Sequence, residues 1–105
     1  MFIDEYRSVR HILTAPSIAA RTAPYIGEDD FDFAGLERER ETMSGGESLL
    51  VGIASELWFA KKQVGLWEVT RRLDSASFGR VLDALSIARL GAVPGPEALE
   101  HALAA

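Results

Sequence analysis

Residues 28–33 read Glu-Asp-Asp-Phe-Asp-Phe, so four carboxylates are interleaved with two aromatic rings. The chemistry open to such a segment is recognition: rings supply apolar area for burial, and carboxylates steer a basic surface toward it; the same alternation also suits a loop whose two rings plug an edge of the core. Glu28, Asp29, Asp30, Phe31, Asp32 and Phe33 are therefore the candidate partner-binding residues. Catalysis has less to build on. The 105 residues contain no cysteine, which removes thiolate nucleophiles, thiolate-bound metals and disulfides. His11 and His101 stand at opposite ends of the chain without a His-x-x-x-His pair, and spacing alone assembles no nucleophile, base and orienting group. Trp58 and Trp67 lie nine apart across Gly65. They could stack on a sugar or peptide, but helix–helix packing explains them more simply. The expectation is a non-enzymatic protein that carries neither cofactor nor metal.

The charge pattern sharpens this reading. Net charge is −5, and residues 28–47 account for it with eight acids against two arginines, whereas residues 1–27 carry three arginines against two acids and residues 48–105 are balanced. An acidic block repels phosphate and attracts basic protein surfaces. Nucleic acid is thus the less favoured partner and another protein the favoured one. The N-terminus has Asp4 and Glu5 in place of a basic start and apolar run, and no stretch approaches 18 apolar residues. A cytoplasmic protein with no membrane contact is expected.

The elements that must position these residues read as helices. Phe2, Tyr6, Val9 and Leu13 follow helical spacing up to Pro16, which predicts a helix over 2–14. Residues 16–27, with Pro16 and Pro24, allow only a short helical turn and then loop. Ser44-Gly45-Gly46-Glu47 ahead of Leu49, Leu50, Ile53, Leu57 and Trp58 forms a capping box that opens a buried helix over 45–61, the expected centre of the fold. Leu66, Val69 and Leu73 give a short helix. Asp74 or Ser75 caps a further one carrying Phe78, Val81, Leu82, Leu85 and Ala88, which Gly91 ends. Pro94-Gly95-Pro96 is a hinge before a last short helix with Leu99 and Leu103. The sum is an all-α fold: a compact bundle of four or five helices with short loops over residues 1–93, with residues 94–105 as a C-terminal appendage. A small chain rich in Leu, Trp and Phe often completes its core across a two-fold axis, so a homodimer is expected.

Four resemblances bear on function. Met43-Ser44-Gly45-Gly46-Glu47 resembles the signature sequence of ATP-binding-cassette ATPases, in which amides at a helix start meet a γ-phosphate. The chain lacks the Gly-x-x-x-x-Gly-Lys-Ser/Thr loop that such an enzyme needs, so the capping box is the better account. Asp30, Asp32, Gly35 and Glu41 occupy the first, third, sixth and twelfth positions of a segment similar to an EF-hand calcium loop. Ala34 stands at the fifth position, however, where an oxygen ligand belongs, and Pro24 and Gly27 interrupt the preceding helix. The alternative is that Asp30 or Asp32 precedes a helix from about Gly35 to Thr42.

Glu68-Val69-Thr70-Arg71-Arg72-Leu73 followed by Phe78 to Leu85 resembles one half of a helix-turn-helix or winged-helix protein. That resemblance implies DNA binding through residues 66–90, with Arg71 and Arg72 closing the first helix, Ser75, Ser77 and Arg80 facing the groove, and the three arginines on one exposed face. Asp74 replaces the usual turn glycine and Ser75 the apolar turn anchor. A wider resemblance covers Ser44-Gly45-Gly46-Glu47-x-Leu-Leu, Ala54-x-x-Leu57-Trp58, Leu66-x-x-Val69, Leu73-Asp74 and Phe78-x-x-Val81-Leu82-x-Ala84-Leu85. It is similar to small uncharacterised bacterial and phage proteins that pair a Ser-x-Gly-Glu capped helix with a Leu-Asp capped one. This implies a compact helical module and a mobile-element origin, and supplies neither an activity nor a functional site; a phage-type inhibitor or regulator fits the protein-binding reading, and so does a small adaptor.

Overall fold

The first helix, α1 (Ile3–Leu13), shows how the sequence pattern becomes packing. Ser8, Val9, Ile12 and Leu13 fall on one side and are buried, while acids sit in its first turn and Arg10 and His11 in its last, as the helix dipole favours. This is a computed structural model, and it describes residues 3–93. The hinge and C-terminal helix expected over 94–105, with Leu99, His101 and Leu103, lie outside the described residues.

Beyond α1 come α2 (Ala19–Thr22), a 3-10 turn over Ala23–Tyr25, α3 (Phe33–Arg40), α4 (Gly45–Phe59), α5 (Leu66–Arg72) and α6 (Ser75–Leu90). The class is all-α, as expected. Among the described residues six α-helices replace the four or five anticipated, because the chain makes short helices from polar stretches that carry little apolar periodicity. Among the described residues the extended pairing is a single antiparallel bridge, Ile26 to Phe31.

The capping box at α4 forms as read: Glu47 N–H donates to Ser44 Oγ at 3.3 Å and Ser44 N–H to Glu47 Oε1 at 2.9 Å. These two bonds satisfy the amides of Ser44 and Glu47 at the start of the helix. From Leu49 to Ser55 every residue of α4 is buried. A helix apolar around its whole circumference must be covered on several sides, and α4 packs against α1, α3 and α5. It shares the centre with α1, which is held between α4 and α6. Leu50, Ile12, Leu13 and Leu36 lose all or nearly all solvent contact where these helices meet.

Candidate functional site

The acidic segment divides into two parts with different fates. Phe33, the first residue of α3, is buried, and Phe31 is half-buried. Phe31 stacks on Tyr6 with ring centroids 5.0 Å apart and meets Trp58 edge-on at 4.9 Å. Phe33 reaches the Phe59 ring at 5.2 Å. This corrects the expectation that both rings offer area to a partner: aromatic edge-to-face pairs gain most when dry, and the chain spends these rings on its own core. The carboxylates of Glu28, Asp29, Asp30 and Asp32 belong to exposed residues. Asp32 caps α3, accepting from Gly35 N–H at 3.0 Å. Because α3 itself occupies residues 33–40, Asp30, Asp32 and Glu41 do not form a calcium loop, and among the described residues no three His, Asp or Glu side chains gather as metal ligands would.

The helix-turn-helix candidates divide similarly. α5 and α6 are joined by Leu73 and Asp74, and Asp74 caps α6 by accepting from Ser77 N–H at 2.7 Å. That amide bond, the largest cause, holds the Asp74 carboxyl below its ordinary pKa. Arg71, Arg72 and Ser75 are exposed, but Ser77 is buried. Arg80 is half-buried and turned toward α1, where Nε donates to His11 O at 2.6 Å and Nη2 to Thr14 Oγ1 at 3.0 Å. The expected exposed face of Arg71, Arg72 and Arg80 therefore does not form, because the third arginine bridges two helices.

What spacing did not reveal is a bare apolar surface across α5 and α6. Leu66 is 85% and Trp67 62% exposed, while Leu82, Leu85, Leu90 and Val93 each keep about half their area in solvent. Leu85 borders two hollows. One, of about 450 Å³, runs along α6 past Leu82, Leu90 and Val93. The other, of about 100 Å³, lies between α4, α5 and α6 and is lined by Ile53, Leu57, Leu66, Val69 and Val81, with Glu56 as its one charged residue. The signal was present in the sequence: α6 carries apolar residues on more than one face, and one helix cannot bury all of them against α1. Of the two tryptophans, Trp58 packs into the ring cluster and Trp67 belongs to this open surface.

Glu56 is a second residue whose part was missed. Its Oε1 accepts from Gln63 N–H at 2.7 Å and Val64 N–H at 3.0 Å, closing the turn between α4 and α5, and these bonds, the Gln63 one foremost, lower its pKa. Comparison with protein-family models, curated proteins and solved structures gives no match for this chain. No described helix is long and apolar enough to cross a membrane.

Proposed function

We propose that this chain is a non-enzymatic protein-interaction module, suited to the part of a small inhibitor or regulator. The carrying observation is the exposure of Leu66, Leu82, Leu85, Leu90 and Val93 around two hollows that share Leu85, since a chain of this size does not usually leave so many large apolar side chains in water. The occupant this face fits is an amphipathic helix of another protein with basic flanks. Apolar residues at helical spacing fill the two hollows that meet at Leu85, and the net charge of −5 favours a basic partner. Glu28, Asp29, Asp30 and Asp32 then act by steering the encounter, without being buried in the contact.

The test is tagged capture with and without nuclease, using the native chain, the pair Leu82→Glu with Leu85→Glu, and the triple Asp29→Asn, Asp30→Asn, Asp32→Asn. The leucine pair is expected to lose a stoichiometric basic protein that nuclease leaves in place, and the triple to slow its association, with helicity preserved in circular dichroism. A partner retained by the leucine pair overturns the docking face. Material lost on nuclease treatment overturns protein binding in favour of DNA binding through residues 66–90. Sedimentation shows whether the face instead pairs with a second copy: a dimer that the leucine pair makes monomeric would replace the foreign partner with the homodimer.

A further inference from the structure

In a chain whose net charge is negative, one concavity has the opposite character. A cleft of about 670 Å³ between α1, α6 and the loop before α3 is lined by Arg7, Arg10, His11 and Arg80, with Glu28 as the one carboxylate of the lining itself and Asp4 and Asp83 set against Arg7 and His11 from outside it. Its volume lies within the range of small-molecule sites. Two of the arginines are held in place by the fold. Arg7 Nη1 donates to Gly91 O at 2.8 Å and to Asp4 Oδ1 at 3.1 Å, and Arg80 donates through Nε and Nη2 to α1. In each case at least one guanidinium nitrogen, Nη2 of Arg7 and Nη1 of Arg80, is left without such a bond among the described residues. Arg10 makes no side-chain hydrogen bond among those residues, and His11 Nε2 is buried without a hydrogen-bond partner, 3.5 Å from Asp83 Oδ2.

We propose that this cleft binds a small phosphate anion, free or as a monoester. Guanidinium groups lining one cleft match the several oxygens and double charge of a phosphate, where a monocarboxylate would satisfy one arginine. Ile26 and Ile87 in the lining offer an apolar wall to the organic part of a monoester. A long polyanion does not fit as well, because Glu28 borders the cleft and exposed Asp29 and Asp30 follow it in the chain. Electrostatics thus selects for charge and size together.

Calorimetric and amide-resolved NMR titrations with phenyl phosphate, inorganic phosphate and benzoate test the site. Phenyl phosphate is expected to shift amides from Arg7 to Thr14 and around Arg80, and benzoate to bind about tenfold more weakly or worse. Arg10→Gln should weaken phosphate by about tenfold or more with helicity unchanged, since Arg10 holds no other described group in place. Glu28→Gln should tighten it, and this variant keeps the test open if Arg10→Gln fails to fold. Phenyl phosphate binding more tightly than the inorganic ion supports a monoester, and equal affinity supports the free ion. No binding of either phosphate probe, or binding that neither substitution alters, overturns the proposal.

Discussion

Gly35 shows how a single residue sets the course of the chain around the acidic segment. A Cβ at this position would lie 2.3 Å from Cδ1 and Cε1 of Tyr25, so the ring packs directly on the backbone of α3. Tyr25 is anchored there by donating from its hydroxyl to Glu39 Oε1 at 3.2 Å, and desolvation, followed by that bond, raises its pKa. Gly35→Ala is therefore expected to destabilise the protein by about 1–3 kcal/mol, the range for forced overpacking, and to perturb Tyr25 in near-ultraviolet circular dichroism. Urea denaturation measures the first effect. A stability unchanged from the native chain would mean that Tyr25 has an alternative seat. In the sequence Gly35 falls within the resemblance to a calcium loop, because the requirement for glycine is created by a ring ten residues earlier and has no local signature.

At the scale of the element, caps were the most legible feature and helix number the least. Ser44 and Glu47 close α4 as their spacing required, Asp74 caps α6, and Gly91 ends it in the left-handed conformation at φ 81°. These features are local, so neighbouring residue types suffice to predict them. The end of α4 is different. Ala60 takes the left-handed position at φ 56°, where a Cβ is unfavourable and glycine is usual. Ala60→Gly is expected to stabilise the fold by up to about 1 kcal/mol, seen as a higher urea midpoint at unchanged slope. The α4 end was placed at residue 61, close to Phe59, without a glycine to mark it. The fate of the rings stays open in the sequence: Phe31 and Phe33 alternate with acids, which suits either a core plug or a partner-facing loop, and the approach of Tyr6, Trp58 and Phe59 from distant elements decides for the plug.

For the molecule as a whole, three carboxylates are tied into the ends and turns of helices by backbone amides: Glu47 to Ser44, Glu56 to Gln63 and Val64, and Asp74 to Ser77. All three have pKa values lowered in the folded state. Their contribution is present above the unfolded carboxylate pKa values and is lost as pH falls through the folded ones. Thermal stability is thus expected to hold from neutrality to about pH 5 and to decline progressively below about 4.5. A melting temperature that rises on acidification would contradict this assignment, and would mean that relief of repulsion among the acids of residues 28–47 outweighs the loss of the caps. The all-α class was legible because helical periodicity recurs in α1, α4 and α6. The open face of α5 and α6 and the cationic cleft were not, since both depend on which sides of α6 the other helices leave uncovered.

The bond from Arg7 to the carbonyl of Gly91 joins positions 84 apart in the chain. Together with the Arg80 bonds to α1, it means that α1, made well before α6, completes its packing only after nearly all of α6 has emerged. During synthesis, Val9, Ile12 and Leu13 can settle against α4 first, and the side of α1 that meets α6 stays wet until translation has passed Gly91. Vectorial folding of this chain consequently ends with the closure of α6 on α1, despite the speed with which its individual helices can form.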